Sequence, residues 1–244
     1  EAVTDVPSKG NSEGIFGYGN NGVANLSMTN LVSNAGVVAT DVSGVGTARY
    51  NLAATQYGGD KGIFGYGYPI TAITNLVSNT GVVATDTSGV GTARQQLAAC
   101  SYGTGADKGI FAYGYGPLSM SNLVSNSGVV ATDVTGVGTA RRAPSACEYG
   151  DDKGIFGFGE TSGVVSMTNL VSNVGVVASD VTGVGTARYY TAACEYGGDK
   201  GIFGYGYTTG NVSMTNLVNN SGVVGSDVTG VGTARGYLAA CSYN

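Results

Sequence analysis

Apolar and small residues alternate along a short segment that recurs throughout the chain, as at Gly62–Tyr68. A period of two is typical of a β-strand, because successive side chains point to opposite faces. The aromatic residues of this segment are then expected on one face: Phe64, Tyr66 and Tyr68. The opposite face holds Ile63 and two glycines, so it is almost bare. We therefore expect the aromatic row of one repeat to pack against the glycine face of the next repeat.

Two further strands are predicted on either side of an Asn-x-Gly turn. In the second copy, the apolar runs Ile73–Ser78 and Val82–Asp86 flank Asn79–Gly81. Asn and Gly are the residues that tight hairpin turns favour. A second glycine turn follows at Thr87–Gly91, and then a fourth apolar stretch at Ala93–Tyr102. Each repeat is thus expected to hold about four short strands, with no helical periodicity.

This block recurs five times at a period close to 47 residues. Its Ile-Phe pair begins at Ile15, Ile63, Ile110, Ile155 and Ile202. A fixed period of this length is typical of a solenoid, propeller or array, and about four strands in 40–50 residues is the size of a propeller blade. We predict an all-β, five-bladed β-propeller that forms a single domain over residues 1–244, with a β-solenoid as the alternative. The predicted repeats are about 13–60, 61–107, 108–152, 153–199 and 200–244.

An N-terminal extension, residues 1–12, precedes the first repeat. Its segment Ala2–Val6 has the composition of one more strand. Such a strand would either close the ring against the last blade or join a neighbouring molecule, because an unpaired sheet edge needs protection. Both outcomes are open at this point.

Charge is scarce and evenly spread, which limits the classes of partner. Only 11% of the 244 residues are charged, 43 are glycine, and the net charge is −5. Nine of the 11 basic residues occupy two repeat positions, whereas a nucleic-acid site needs clustered cations that follow the phosphates. No segment is long and apolar enough to span a membrane as a helix. We expect neither nucleic-acid binding nor membrane insertion.

An aspartate and an arginine stand eight residues apart in every copy. Their recurrence argues against a unique catalytic constellation, and such pairs are usual where carboxylate and guanidinium groups approach burial. We interpret them as structural salt bridges or turn anchors that tie adjacent strands. The pairs are Asp41/Arg49, Asp86/Arg94, Asp133/Arg141, Asp180/Arg188 and Asp227/Arg235.

The cysteines stand one period apart, at Cys100, Cys147, Cys194 and Cys241. Equivalent positions in neighbouring repeats share an orientation, whereas a disulfide needs side chains that face each other. Because free cysteine is commonly buried as a small apolar residue, we expect buried thiols. Disulfides or a metal site are the less favoured alternatives.

The residue types present argue against the common catalytic mechanisms. The chain has no histidine, which removes the Ser-His and Cys-His nucleophile systems and the common zinc ligand sets. The acidic residues outside the repeat positions show no marked pair for two-carboxylate hydrolysis. We expect that the chain is not an enzyme and that it has no catalytic residues, metal or cofactor.

Function is expected where the copies differ, after the first strand and before the fourth. Tyrosines in these regions are candidates for stacking on sugar rings or contacting a partner protein, with capping of the sheet as the alternative interpretation. The candidate binding residues are Tyr50, Tyr68, Tyr115, Tyr189, Tyr190, Tyr207 and Tyr237.

Two strings of the repeat carry a family resemblance: Asp60–Gly67, and Thr168–Asn173 followed by Gly-Val-Val-Ala-Ser-Asp and Gly-Thr-Ala-Arg. They resemble the glycine-rich, kelch-like propeller repeats of bacteriophage virion and tail-fibre proteins. The resemblance covers essentially the whole chain and implies a non-enzymatic component of a virion or another extracellular assembly.

Three functional hypotheses follow from this resemblance and from the candidate tyrosines. The first is a structural or adhesive propeller that contacts other virion or assembly proteins, with the N-terminal strand as one route. The second is a multivalent lectin that binds surface glycans between the blades. The third is an intracellular scaffold that binds a protein partner.

Overall fold

The computed structural model describes residues 12–242, and these residues form β-strands without any helix. Fourteen strands are present. Their bounds are β1 Gly14–Asn20, β2 Asn25–Val32, β3 Ala53–Tyr57, β4 Lys61–Gly65, β5 Thr74–Val77, β6 Ala98–Tyr102, β7 Lys108–Gly114, β8 Leu118–Val124, β9 Ser145–Tyr149, β10 Lys153–Gly157, β11 Thr168–Val171, β12 Ala192–Tyr196, β13 Lys200–Gly204 and β14 Thr215–Val218. The prediction of an all-β chain is confirmed.

The strands form five small antiparallel sheets, one per repeat. The first sheet has two strands, β1-β2, and the others have three, in the orders β3-β4-β5, β6-β7-β8, β9-β10-β11 and β12-β13-β14. In each three-stranded sheet, the first strand pairs with the strand that begins at the next Lys-Gly pair. Cys147 therefore lies opposite Ile155. Each of these sheets therefore straddles a predicted repeat boundary. The predicted strand Ala2–Val6 lies outside the described residues.

The predicted third strand of each repeat, Val82–Asp86 in the second copy, is reduced to isolated bridges. The Asn-x-Gly hairpin turn is confirmed, with Gly81 at φ +77° and its N–H donating to Ser78. Beyond that turn, the register shifts by one residue between the bridge Val77–Val83 and the bridge Thr74–Thr87. The side-chain amide of Asn75 also donates to the carbonyl of Ala84 at 3.1 Å, where a regular ladder would place a backbone N–H. Instead of the predicted four or so short strands per repeat, the structure has sheets of two or three strands, and the further segment contributes only bridges.

The predicted packing of aromatic rings on glycine is confirmed for phenylalanine, but the predicted direction is wrong, because the rings lie on the preceding repeat and not on the next one. The ring of Phe111 lies on Gly65 of the preceding sheet, so closely that a Cβ added to this glycine would be 2.8 Å from the ring. The same contact joins Phe64 to Gly17 and Phe203 to Gly157. Each phenylalanine therefore fills the space left by a missing side chain in the repeat before it.

The second aromatic residue does not share the face of the first, contrary to the strand alternation. Tyr66 has φ +64°, and β4 ends just before it at Gly65. Its ring packs edge-on against Phe111 of the next repeat at 5.2 Å between centroids, whereas Phe64 packs against Tyr18 of the previous one. The left-handed backbone turns the tyrosine towards the opposite neighbour. Four such edge-on pairs, at 5.2–5.4 Å, form the centre of the four inter-repeat cores.

Replacement of Phe111 by alanine is expected to destabilise the chain by about 3–5 kcal/mol, because the ring is fully buried between two sheets. The matched control is Phe16→Ala, since Phe16 is the equivalent residue of the first repeat and is 60% exposed. Its free energy of unfolding should change by no more than about 0.5 kcal/mol. Urea denaturation of both variants checks the difference, and equal losses would contradict the assigned packing.

Candidate functional site

A fully buried arginine stands at each junction between repeats. The guanidinium of Arg94 lies over the ring of Tyr66, 4.2 Å from its centroid. One Nη donates to the Oδ1 of Asn122 at 2.6 Å and the other to the carbonyl of Thr92 at 3.1 Å. Because Asn122 belongs to the next sheet, the arginine ties two repeats together.

The carboxylate of Asp133 completes this junction. It accepts hydrogen bonds from the N–H and hydroxyl of Thr92, at 2.9 and 2.7 Å, and from the side-chain amide of Asn122 at 2.9 Å. Its Oδ1 is 3.9 Å from the nearest Nη of Arg94. The side chain of Asn122 thus lies between the two charged groups. Its oxygen accepts a hydrogen bond from Arg94, and its amide nitrogen donates one to Asp133.

The same junction occurs four times with nearly identical distances. Its arginine, asparagine and aspartate are Arg49/Asn75/Asp86, Arg94/Asn122/Asp133, Arg141/Asn169/Asp180 and Arg188/Asn216/Asp227. The sequence paired Asp86 with Arg94, whereas the structure pairs each arginine with the aspartate of the following repeat. That correction has a local cause. Gly91, at φ +79°, turns the chain into the next sheet so tightly that a Cβ there would lie 2.3 Å from Asp133.

Sequence reasoning missed the threonine and the asparagine of the junction. Both recur in all five copies, as Thr47, Thr92, Thr139, Thr186 and Thr233 and as Asn30, Asn75, Asn122, Asn169 and Asn216. Their recurrence was a usable signal, but a polar residue in a strand is normally interpreted as facing solvent.

The junction lowers the pKa of its aspartates, for example Asp133. Burial opposes this shift, but hydrogen bonds from Thr92 and Asn122 and the charge of Arg94 outweigh it. Burial also lowers the pKa of the arginines, and that of Arg188 falls to about 10. Both groups are therefore ionised at neutral pH.

The junction is incomplete at both ends of the array. In the first repeat, Asp41 is exposed and its one side-chain hydrogen bond within residues 12–242 comes from Asn30 at 2.8 Å. In the fifth, Arg235 still lies over Tyr205, 4.0 Å from the centroid, but it is exposed and donates only to the carbonyl of Thr233 in the described structure. These two residues do not meet.

The cysteines also become less buried towards the end of the chain. Cys100 and Cys147 are buried, Cys194 is half-buried and Cys241 is exposed. The expectation of four buried thiols is therefore wrong for the last two. The sulfurs of the first two cover Gly154 and Gly201 of the next sheet, which raises the pKa of both thiols through burial. No such glycine follows Cys194 or Cys241 among the described residues.

Four of the seven candidate tyrosines gather at one place. Tyr190 stacks on Tyr237 at 3.9 Å between centroids, and Tyr189 contacts Tyr190 at 4.6 Å and Tyr207 at 5.7 Å. Burial, followed by the neighbouring Tyr237, raises the pKa of Tyr190 to about 12. Tyr237 is 71% exposed. We call these four residues the tyrosine cluster.

The other candidate tyrosines lie elsewhere. Tyr50 and Tyr68 form a separate edge-on pair at 5.3 Å. Tyr115 lies under the guanidinium of Arg142, 5.3 Å from its ring centroid, and Arg142 is also paired with Glu160. The seven tyrosines therefore do not form one binding surface.

Two other kinds of site are absent from the described part of the chain. Residues 12–242 contain no group of three or more His, Cys, Asp or Glu side chains placed to hold a metal ion. They also contain no helix that could cross a membrane.

Comparison with known proteins shows a likeness in fold. No protein-family model and no curated protein matches the chain. Among solved structures, the fold is similar to that of a fungal alcohol oxidase of the AA5 family, in complex with copper, at a TM-score of 0.51 and 12% sequence identity. The match covers 85% of this chain and 59% of that one, so the chain spans less than two thirds of the oxidase.

This match corrects the expectation that the chain is not an enzyme. That expectation is contradicted because the structure that the chain resembles is an enzyme, an oxidase. At 12% identity the likeness shows the fold alone, and the oxidase's activity and copper belong to that protein.

Replacement of Arg141 by alanine is expected to destabilise the chain by about 3–5 kcal/mol. It leaves the buried Oδ1 of Asn169 without a donor and removes the cation beside Asp180. Arg235→Ala is the matched control, because Arg235 is exposed, and its effect should stay within about 0.5 kcal/mol. Urea denaturation at low protein concentration checks both values, and a large loss from Arg235→Ala would show that the end of the array is not free.

Acid is expected to weaken the junctions. The junction lowers the pKa of four aspartates from 3.8: Asp86, Asp133, Asp180 and Asp227. Their contribution to the free energy of unfolding is therefore complete above pH 3.8 and is lost as pH falls through the folded-state pKa. The free energy of unfolding should therefore drop steeply below about pH 4. Asp133→Asn, which has one fewer of these carboxylates, should show a shallower drop. Urea titrations at pH 7, 4, 3 and 2 measure both slopes, and identical slopes would contradict the assignment.

Proposed function

We propose that the chain is a structural or adhesive five-bladed β-propeller of a virion or another extracellular assembly, mediating protein or host-surface contacts. In this proposal each of the five sheets is one blade. The kelch-like character of the repeats is part of the same proposal. Support comes from β3, β6, β9 and β12, which lie side by side in consecutive sheets. Hydrogen bonds also link equivalent residues of successive repeats, from Gln96 to Asn51 and from Ala143 to Gln96.

A row of exposed valines carries the adhesive part of the proposal. The first valine after each Asn-x-Gly turn is 62–65% exposed, at Val37, Val82, Val129, Val176 and Val223. A second row, 45–48% exposed, is formed by Val42, Val134, Val181 and Val228. Large contiguous patches of exposed apolar surface mark interaction sites, and in this proposal the equivalent valines of successive repeats form such a surface. We call the first five residues the valine row.

The position of the valine row fits a contact role. It lies on the reduced third strand of each repeat, at the sheet edge opposite the strands that face the neighbouring sheets. The buried arginines and phenylalanines are used within the array, so the valine row is a repeated feature that remains available to a partner. An unpaired edge with apolar side chains favours contact with another protein or surface.

The tyrosine cluster favours one second candidate, a lectin that binds surface glycans. Tyr237 presents an exposed ring backed by Tyr190, and an aromatic face of this kind is able to stack on a sugar ring. The cluster occurs once, between the fourth and fifth repeats. It therefore supports a single sugar site rather than the five equivalent sites expected of a multivalent lectin.

Two multiple variants separate these functions. The first carries Val→Thr at all five positions of the valine row, which keeps side-chain shape but removes apolar surface. The second carries Tyr189→Ser, Tyr207→Ser and Tyr237→Ser. Binding of each variant is measured on an alkyl-terminated monolayer and on a glycan array.

The adhesive proposal expects the wild type to bind the monolayer. The valine variant should bind more than about tenfold more weakly, because five partly buried valines are lost from the contact, while the tyrosine variant should be unchanged. Saturable glycan binding that only the tyrosine variant loses would replace adhesion with the lectin function. Binding by the wild type to neither surface would reject both.

A further inference from the structure

One of the contacts between consecutive repeats differs from the others in its chemistry. The residue after each buried arginine is linked through its backbone to a residue of the following repeat, in the pairs Tyr50/Tyr68, Gln95/Tyr115, Arg142/Glu160 and Tyr189/Tyr207. Three of these pairs combine tyrosine with tyrosine or glutamine, whereas Arg142 and Glu160 are charged. Function is expected where the copies differ, and this pair is such a difference.

We propose that Tyr115, Arg142 and Glu160 form a binding site for one neutral pyranose sugar, and we call these three residues the Arg–Glu site. Two adjacent hydroxyl groups of the sugar bind the charged pair, and an apolar face of its ring packs against Tyr115. The inference does not depend on the adhesive role proposed above. It gives the second candidate function, the lectin, a defined ligand and a site outside the tyrosine cluster.

Backbone hydrogen bonds hold the Arg–Glu site in place. The N–H of Arg142 donates to the carbonyl of Glu160, and the N–H of Glu160 donates to the carbonyl of Arg142, both at 2.9 Å. The N–H of Gly114 donates to the carbonyl of Arg141 at 3.0 Å, which brings the next residue, Tyr115, beside Arg142. The guanidinium then lies 5.3 Å from the centroid of the Tyr115 ring. The three side chains are therefore positioned by the fold itself, which lowers the entropic cost of binding.

The charged pair leaves one donor and one acceptor unused. The Nε and Nη2 of Arg142 both contact the same oxygen of Glu160, Oε2, at 2.8 and 2.6 Å. Within residues 12–242, the Nη1 of Arg142 donates no hydrogen bond and the Oε1 of Glu160 accepts none. Two adjacent sugar hydroxyls match this arrangement, because one accepts from the guanidinium while the other donates to the carboxylate.

The charge of the pair favours a neutral ligand. Burial opposes the shift, but the hydrogen bond and the charge of Glu160 raise the pKa of Arg142, so the guanidinium stays ionised. The two side chains are 31% and 21% exposed and carry no net charge together. A phosphate or carboxylate ligand would have to compete with Glu160 for Arg142, whereas a hydroxyl binds without separating the pair.

Tyr115 supplies the apolar part of the Arg–Glu site. Its side chain is 46% exposed. Tyr50 and Tyr68 pack against each other, whereas Tyr115 contacts no other aromatic ring in the described part of the chain. An exposed tyrosine ring is able to pack against the C–H face of a pyranose. Hydroxyl groups and an apolar face occur together in a sugar ring, so this ligand uses all three residues.

A sugar-binding assay on the full chain tests the ligand. Methyl glycosides of glucose, mannose and galactose are titrated by saturation-transfer NMR, and a neutral glycan array extends the panel. At least one neutral sugar should bind saturably, with one sugar per chain. Analogues in which adjacent hydroxyls of that sugar are methylated should lose binding for one such pair, because an ether cannot donate to Glu160. A wild type that binds no neutral sugar would overturn the proposal.

Glu160→Gln tests the residues, because it keeps side-chain shape but leaves Arg142 without its counter-charge. Binding of the neutral sugar should weaken about tenfold or more, since the hydrogen bond to a charged acceptor is lost. Binding of methyl glucuronide, which carries a carboxylate, should strengthen about threefold. A purely structural role of Glu160 would not reverse the preference in this way.

Asp152→Asn is the matched control. It removes a carboxylate of similar exposure, 25%, from another surface ion pair, that with Lys153. Both variants should keep the urea midpoint of the wild type, because partly exposed ion pairs add little to stability. Asp152→Asn should bind the sugar as the wild type does. Unchanged sugar binding in Glu160→Gln, or equal losses in both variants, would contradict the Arg–Glu site.

Two further measurements separate this inference from the functions proposed above. Sugar binding that is lost in Tyr237→Ser and retained in Glu160→Gln would place the ligand in the tyrosine cluster, which overturns the Arg–Glu site and keeps the lectin function. Adhesion to the alkyl-terminated monolayer should be the same for Glu160→Gln and the wild type, because the valine row is intact. Failure of adhesion and failure of the sugar site are thus observed independently.

Discussion

The buried guanidinium between neighbouring sheets is the interaction on which the rest of the structure depends. A cation with no exposed side-chain surface is costly unless its hydrogen bonds and its counter-charge are supplied. Here no single repeat supplies them all. The aromatic ring and the threonine carbonyl come from one repeat, and the asparagine and aspartate come from the next. A repeat is therefore completed by its neighbour, which makes stability a property of adjacent pairs, as in other repeat proteins.

This dependence explains why so many positions tolerate no variation among the five copies. Gly91 must adopt a positive φ and also leave room for Asp133, so no side chain fits there. The glycine or alanine under each phenylalanine is restricted by the ring that covers it, and copy three accommodates Ala112. Polar and apolar contacts thus fix the same spacing between sheets. Within residues 12–242, the first and fifth repeats keep residues of the junction that are bonded only inside their own repeat.

Surface that does not take part in the repeat contacts is of two kinds. One is repeated, the valine row, and suits a contact along the array. The other occurs once, the tyrosine cluster, because only the fourth copy carries two tyrosines after its arginine, and Tyr190 stacks on Tyr237 at the equivalent position of the fifth copy. Neither kind resembles a centre of ionisable groups within the described residues. The likeness to an alcohol oxidase nevertheless shows that an enzyme shares this fold, so the fold alone does not decide between binding and catalysis.

Local pattern was sufficient for most of the predicted strands, the Asn-x-Gly hairpins and the packing of phenylalanine on glycine, because each depends on residues within one repeat and on the period that brings an adjacent repeat alongside. It was not sufficient for the partner of Arg94, since eight-residue spacing to Asp86 says nothing about which sheet the chain enters after Gly91. It also placed Tyr66 on the wrong face, because a positive φ at a non-glycine residue leaves no mark in the pattern. The sequence by itself therefore determined an all-β array of five equivalent units. Only the tertiary structure decided that each unit is completed by the next, because burial of a charge depends on neighbours that lie about 40 residues away along the chain.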